Sequence, residues 1–180
     1  MAENLKTTRY QNGELIEHVT DLNKWGHFQI TTGAYIYYDN DIENKATHGA
    51  LYNWYAASDT RNIAPTGWRV PSVADWQELI DYLDSYAGQY YGHKLRETTS
   101  AHWYTHAYNA YTSTNITGFT SIPSGKAVTG EFMDLGGFWS YYWTSTGTWD
   151  GSSCVYLKDV ITIDYMAYNA RGFSIRCIKN

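Results

Sequence analysis

The stretch from Ile63 to Leu83, IAPTGWRVPSVADWQELIDYL, predicts a helix whose start is set by a proline. Proline fixes its own φ and disfavours helical geometry for the residue before it, so the helix begins only after Pro71. Ser72 then has the position of an N-cap, and Asp75 can reach back to it as in a capping box. Four apolar residues follow at i, i+3, i+4 and i+7: Trp76, Leu79, Ile80 and Leu83. This spacing predicts one apolar face that packs inward.

The remainder of the chain predicts one short helix early and strands late. Residues 47–58 place Leu51, Trp54 and Tyr55 on one helical face. From residue 118 onward the segments predict strands: GFTSI, KAVTGEF, FWSYYWTST, SSCVYLK, VITIDYMAY and GFSIRCI. In the last segment apolar and polar residues alternate, which is typical of a half-buried strand. We therefore expect a single α+β domain over residues 1–180 with a mainly antiparallel sheet.

The composition excludes some partners and favours others. Of the 180 residues, 17% are aromatic, including 18 Tyr and 8 Trp, which is typical of a chain with many short strands or with a ligand-binding surface. The net charge of -5, without a basic cluster, argues against nucleic acid. No run of about 18 apolar residues predicts a membrane span, and the polar segment Met1 to Tyr10 shows no signal peptide.

Cys154 and Cys177 form neither a metal motif nor a CxxC pair. Two alternatives stay open for them: one disulfide between neighbouring strands, or two small buried thiols.

Two weak metal patterns are better explained without a metal. Residues 39–43, DNDIE, offer oxygens for calcium, but the glycine and spacing of a calcium loop are absent, so we expect a solvated turn. His102 and His106 have the i, i+4 spacing of metal ligands, but their segment has no helical pattern and no third ligand nearby.

Segments along nearly the whole chain resemble those of the Fibrobacter succinogenes major paralogous domain. In order they are MAENLKTTRY, TTGAYIYYDND, KATHGALYNWYAA, the 63–83 stretch, GHKLRE, TGFTSIPSG, GEFMDLG, WTST and GFSIRCIKN. Residues 69–76 and 172–177 are also similar to the formylglycine-generating enzyme superfamily. The resemblance implies a C-type-lectin-like fold: two helices packed on a twisted, mainly antiparallel sheet, with long loops on one side.

The resemblance bears on catalysis and on location. That superfamily contains oxidases, which hold copper with a close pair of cysteines, whereas Cys154 and Cys177 lie far apart in the sequence. No nucleophile with an adjacent base stands out, so we expect a domain that is not an enzyme; a divergent enzyme stays as an alternative. In the family, further sequence often precedes the MAENL segment. This implies an extracellular or cell-surface location within a longer exported chain, or a phage virion.

The late strands and loops form the ligand face in C-type-lectin-like folds, and this region is rich in Tyr, Asp and Asn here. Such a surface has the chemistry of an antibody paratope, although many of the tyrosines could instead pack on the sheet. The residues that we expect to bind a protein or glycan ligand are Tyr141, Tyr142, Trp149, Asp150, Tyr156, Asp159, Asp164, Tyr165, Tyr168, Asn169 and Arg171. The alternative function is a structural or adhesive module of a longer surface protein.

The same late segment resembles the variable proteins of diversity-generating retroelements. These proteins randomise asparagine codons there, which yields Tyr, Asp and Asn but not Trp, Lys or Met. Most of the candidate ligand residues fit that set, whereas Trp149, Lys158 and Met166 do not. We expect no cofactor. Calcium, common among sugar-binding C-type lectins, is not favoured, because only Trp149-Asp150-Gly151 weakly resembles their ligand motifs.

Overall fold

The computed structural model describes residues 1–26, 29–87, 91–99, 101–104, 112–135, 137, 139–149 and 151–180. Its helices are α1 (Asn44–His48), α2 (Trp54–Ala57) and α3 (Val73–Ala87), with 3-10 turns at Leu22–Trp25, Tyr38–Asn40 and Gly92–Lys94. Its strands are β1 (Glu17–His18), β2 (Ala34–Ile36), β3 (Leu51–Tyr52), β4 (Trp68–Arg69), β5 (Ser124–Val128), β6 (Glu131–Leu135), β7 (Ser140–Gly147), β8 (Ser152–Leu157), β9 (Ile161–Ala167) and β10 (Ile178–Lys179).

Within this part of the chain, the strands form four small sheets. Their orders are β1-β2-β3, β4-β10, β5-β6 and β7-β8-β9, and every pairing is antiparallel except that of β1 with β2. The expected α+β class with mainly antiparallel pairing is confirmed. The sheet area is divided among four pieces because most strands are only two to five residues long.

Helix α3 begins as its sequence predicts. Ser72 and Asp75 form the reciprocal capping box: the Ser72 amide donates to the Asp75 carboxylate at 2.7 Å, and the Asp75 amide donates to Ser72 Oγ at 3.3 Å. Arg69, at the end of β4, donates both terminal nitrogens to the same carboxylate. The guanidinium of Arg69 therefore ties the preceding strand to the first turn of the helix.

The apolar face of α3 covers one face of the β7-β8-β9 sheet. Trp76 stacks on Tyr142 with ring centroids 5.7 Å apart, and Phe119 packs edge-on against both rings. Val155 of β8 and Leu83 of α3 belong to the same buried cluster. This packing decides which side chains of the sheet stay available for other contacts.

The predicted helix over residues 47–58 is wrong. The segment divides into α1, strand β3 and α2, because Gly49 has a φ of +77° and an added Cβ would lie 2.8 Å from the Leu5 carbonyl oxygen. Asn53 then starts α2 anew: its buried side chain accepts from the amides of Ala34 and Ala56 and donates to the Thr32 carbonyl. Between the two helices, Leu51 and Tyr52 form strand β3 by pairing with β2, in which Tyr35 lies opposite Tyr52.

The closing segment 172–177 differs from the predicted half-buried strand, since both of its faces are buried. Ser174 and Arg176 are only 1% and 3% exposed. The segment runs between the sheets and joins them through isolated bridges to Tyr52, Ala127 and Tyr142. It is therefore a central connector of the fold.

Cys154 and Cys177 are both free and buried, so the disulfide alternative is wrong for this structure. Burial raises the pKa of each thiol to about 12. In the described part of the chain, no helix combines the length and apolar character required to cross a bilayer.

Candidate ligand-binding face

The β7-β8-β9 sheet has two faces with different surroundings, because successive side chains of a strand point to opposite sides. Tyr142 and Val155, paired in register, face α3. Their neighbours Tyr141 and Tyr156, also paired in register, lie on the opposite side with ring centroids 5.3 Å apart. The face away from α3 is therefore the one on which a ligand can meet aromatic side chains.

A cavity of about 250 Å³ lies on this face. Its lining, which we call the aromatic cavity, consists of Lys126, Trp139, Tyr141, Tyr156, Arg171 and Phe173. Phe173 stacks under Tyr141 with centroids 5.3 Å apart, and Trp139 meets Tyr156 edge-on at 6.4 Å. Each of the four aromatic rings in the lining thus packs against another of them, so these side chains have little rotamer freedom to lose when a ligand binds.

A hydrogen-bonded triangle fixes one side of the aromatic cavity. The Tyr141 hydroxyl donates to Asp134 Oδ2 at 2.6 Å and accepts from Lys126 Nζ at 3.0 Å. Lys126 Nζ is also 3.0 Å from the same Asp134 oxygen and lies 4.4 Å from the centre of the Tyr141 ring. The three groups therefore present a fixed and locally neutral set of donors and acceptors.

The other tyrosine hydroxyl, that of Tyr156, donates to Asp164 of β9. Burial, followed by this hydrogen bond to an anion, raises the pKa of Tyr156 above that of a free phenol. Burial and the Asp134 carboxylate act in the same direction on Tyr141. Both phenols therefore stay protonated at neutral pH, as hydrogen-bonding groups rather than bases.

Arg171 supplies a cation at the edge of the aromatic cavity. Its guanidinium carbon lies 4.8 Å from the centre of the Tyr168 ring, and its amide donates to the Tyr168 carbonyl at 3.0 Å. Within the described residues, no carboxylate forms an ion pair with Arg171. The side chain is half-buried, so its charge is presented to a ligand with part of its hydration already removed.

Exposed apolar side chains lie at the end of the sheet where β7 turns into β8 and where β9 ends. The register of β8 and β9 shifts between Ser152 and Cys154, and this bulge opposes two β9 residues to one residue of β8. The exposed set, which we call the rim, consists of Trp149 (95% exposed), Tyr165 (51%), Met166 (75%) and Tyr168 (49%). Such a group of large exposed apolar side chains is typical of an interaction surface.

The structure brings together seven of the eleven residues expected from the sequence. Tyr141, Tyr156 and Arg171 line the aromatic cavity, and Asp164 accepts a hydrogen bond from Tyr156. The other three, Trp149, Tyr165 and Tyr168, belong to the rim. Asp150 lies outside the described residues.

The prediction that Tyr142 lies on the ligand face is wrong. Its side chain is fully buried under α3, and its hydroxyl bonds Ser121 Oγ at 2.8 Å. The sequence shows two adjacent tyrosines but not which one faces the helix.

Asp159 and Asn169 also serve the fold. Asp159 forms an ion pair with Arg96 at 3.3 Å, and its carbonyl accepts from the Gly92 amide, away from the aromatic cavity. The Asn169 carbonyl accepts from the Trp54 amide and its side-chain oxygen is buried. Neither residue joins the candidate site.

Lys126, Asp134 and Trp139 were not expected from the sequence. They lie on β5, on β6 and in the turn into β7, and so precede residues 141–171, which contain the predicted ligand-binding residues. The antiparallel pairing of β5 with β6 brings Lys126 opposite Met133 and so beside Asp134. The nearest sequence indication is the aromatic and acidic segment EFMDLGGFW, whose partner strand is not evident from sequence.

The metal patterns have little geometric support. Asp39 and Asn40 occupy a tight turn at positive φ, as expected for a solvated turn. The Glu97 carboxylate accepts from His102 Nδ1 at 2.8 Å, whereas His106 lies outside the described residues. No group of three His, Cys, Asp or Glu side chains in the described ranges has the arrangement of a metal site.

The comparison with known proteins identifies one family. The family model described as Fibrobacter succinogenes major domain matches residues 1–179. No curated protein and no solved structure is significantly similar to the chain.

Proposed function

The chain belongs to the Fibrobacter succinogenes major domain family, and we propose that it is a noncatalytic recognition domain that binds its ligand at the aromatic cavity and rim. One observation carries this proposal. Side chains from β5, β7, β8 and the turn after β9 converge on one cavity, and the exposed ring of Tyr168 packs against Arg171 at its edge. Rigid aromatic groups with fixed polar partners are typical of binding surfaces.

The chemistry of the lining supports binding rather than catalysis. A general base at neutral pH needs a pKa near 7, whereas burial keeps Tyr141 and Tyr156 protonated. Burial raises the pKa of the Cys154 thiol to about 12, so at neutral pH it carries almost no thiolate, the form that attacks substrates.

Two ligand classes fit the aromatic cavity and rim. The rings of Trp139 and Trp149 offer faces on which a sugar can stack, and Lys126, Asp134 and Arg171 offer hydrogen bonds to its hydroxyls. An exposed Trp and Tyr set with an arginine that has no carboxylate partner among the described residues equally has the composition of a protein-binding hot spot. We therefore propose a glycan or protein ligand on a cell surface, bound without a cofactor.

We further propose that the sheets and helices adopt the C-type-lectin-like arrangement that the family resemblance implies. The long helix on one side of an antiparallel sheet, with the ligand face on late strands, supports this. An experimental structure superposed on C-type-lectin-like domains tests it, and an unrelated strand connectivity would refute it.

A retroelement origin for the late segment is a further part of the proposal. The rim residues Tyr165 and Tyr168 tolerate change because they are exposed, whereas diversification at buried Tyr142 would damage the core. We expect a reverse-transcriptase gene and a near-duplicate of the 3′ coding end beside this gene. A neighbourhood without either would contradict the retroelement origin.

The proposed location is the extracellular space or a cell surface, within a longer exported chain, or a phage virion. Antibody labelling of intact cells and virions tests this location. Signal confined to the lysed cell contents would contradict it.

The proposed function is tested by a binding screen of the purified protein against glycans and cell-surface proteins, with calcium and with chelator. The test variant carries Trp149→Ala, Tyr165→Ala and Tyr168→Ala, and the control is Tyr82→Ala, an exposed tyrosine on α3 across the sheet. We expect binding by the wild type and the control but not by the folded triple variant. Equal ligand binding by the triple variant would refute the rim as part of the ligand-binding site. A screen that finds no ligand would favour the alternative function, a structural or adhesive module.

A further inference from the structure

A second pocket, of about 220 Å³, lies between α3 and the C-terminal end of the chain. It adjoins α3, across the β7-β8-β9 sheet from the aromatic cavity, and the two linings share no residue. Its walls include the rings of Trp68, Trp76 and Phe119 and the aliphatic side chains of Leu79 and Ile178. Its volume lies below the range of about 300–1,000 Å³ that drug-sized ligands occupy, so the ligand it fits is small.

Arg176 makes this apolar pocket chemically unusual. The residue lines the pocket, is 3% exposed and, among the described residues, donates to three neutral oxygens: Asn4 Oδ1 at 2.6 Å, the Thr120 carbonyl at 2.9 Å and the Phe119 carbonyl. These three bonds use three of the five N–H groups of a guanidinium. Each terminal nitrogen therefore has one further N–H for which the described residues supply no acceptor.

No described carboxylate neutralises this buried cation at ion-pair distance. Glu3, whose carboxylate is bonded to Lys6, attracts it only at longer range, and burial lowers the pKa of Arg176. Asp75, the acidic residue of the lining, is bonded to Arg69 and Ser72. A buried charge is costly unless it is paired, so an anion entering this pocket relieves an unfavourable arrangement.

We propose that this pocket binds a small apolar carboxylate, whose apolar part lies among Trp68, Trp76 and Leu79 and whose carboxylate accepts hydrogen bonds from Arg176. Lys179, at the pocket edge, adds a second positive charge. The guanidinium lies 4.6 Å from the centre of the Phe119 ring, which limits its movement. Planar pairing of guanidinium with carboxylate gives a strong and directional contact.

The experiment titrates the full chain, labelled with ¹⁵N, with 4-phenylbutyrate and with its neutral amide, and follows the indole N–H resonances. Trp76 is a suitable reporter because it lines the pocket and its buried indole N–H has no acceptor in the described ranges. We expect saturable shifts with the carboxylate and at least about tenfold weaker binding of the amide, as for a charge-assisted hydrogen bond. A tripeptide ending in phenylalanine, free or amidated, tests whether a peptide C-terminus is the natural source of the carboxylate.

Two variants and one control assign the binding to this pocket. Arg176→Gln should abolish the preference for carboxylate over amide. Arg176 also bonds the Phe119 and Thr120 carbonyls, so its replacement could disturb the fold as well as the pocket. The Leu79→Trp variant, whose larger side chain fills the pocket, gives an independent test. Its control is Ile116→Trp, at an exposed position outside the lining. Equal affinity for the two ligands, unchanged binding by the folded Leu79→Trp variant, or no saturable shift at millimolar carboxylate would each overturn the proposal.

Discussion

Replacing Asp75 with asparagine should lower the free energy of unfolding by about 1–2 kcal/mol at neutral pH. The Asp75 carboxylate accepts from the amide and hydroxyl of Ser72 at 2.7 and 2.6 Å and from both terminal nitrogens of Arg69. The lost capping interaction is worth about 1 kcal/mol. The ion pair adds up to about 1 kcal/mol, since Arg69 is 44% exposed and partly screened by solvent.

The dependence on pH provides a second test of the same interaction. The Arg69 guanidinium holds the pKa of Asp75 well below its usual range. A carboxyl group with a depressed folded-state pKa contributes its full stability above its unfolded pKa of about 4, and this contribution falls as pH drops toward the folded value. The difference between wild type and Asp75→Asn should therefore be full at neutral pH and shrink below about pH 4.

The assay is urea unfolding followed by tryptophan fluorescence, with the m-value checked for each variant. Glu78→Gln, at an exposed position of the same helix, is the matched control and should change stability by less than about 0.5 kcal/mol. A loss below about 0.5 kcal/mol for Asp75→Asn, or a difference that does not shrink in acid, would refute this account of the helix start.

Three other predictions follow from the packing. Replacing buried Tyr142 with alanine should lower the free energy of unfolding by about 3–5 kcal/mol, whereas the same change at exposed Tyr168 should lower it by less than about 0.5 kcal/mol. Urea unfolding measures both losses, and similar losses would contradict the difference in burial between the two side chains. The thiols of Cys154 and Cys177, with pKa values of about 12, should resist a thiol reagent at pH 8 until urea is added, and rapid labelling of the native protein would contradict their burial. Gly49→Ala should destabilise by about 1–3 kcal/mol, because of its positive φ and the contact with Leu5; an unchanged melting temperature would show that the turn relaxes.

The features predictable from sequence are those with local causes. Pro71, Ser72 and Asp75 lie within five positions of one another, so the start of α3 is encoded by neighbours. The runs FWSYYWTST, SSCVYLK and VITIDYMAY each contain a late strand (β7, β8 and β9), as their β-branched and aromatic residues predict. The strand predictions for KAVTGEF and GFTSI are wrong: KAVTGEF spans the turn between β5 and β6, and GFTSI has only an isolated bridge at Ser121. By contrast, the break at Gly49 depends on the approach of residues 4 and 5, and this contact is not visible from the local pattern.

The candidate site was predictable in its region but not in its composition. Alternation along β7 requires Tyr141 and Tyr142 to face opposite sides, but only the position of α3 decides which one is covered. Lys126 lines the aromatic cavity, and Asp134 is bonded to Tyr141 there, because β5 pairs with β6 and β5 packs beside β7. These are long-range arrangements, whereas periodicity reports on neighbours along the chain.

The most direct test of the ligand-binding face is the affinity of Arg171→Gln for whichever ligand the screen identifies. The matched control is Arg61→Gln, an exposed arginine whose guanidinium lies 3.9 Å from the centre of the Tyr10 ring at another site. We expect the dissociation constant to rise about tenfold or more for Arg171→Gln and to stay unchanged for Arg61→Gln. Wild-type affinity in a folded Arg171→Gln variant, or an equal loss in the control, would contradict a ligand site at the aromatic cavity.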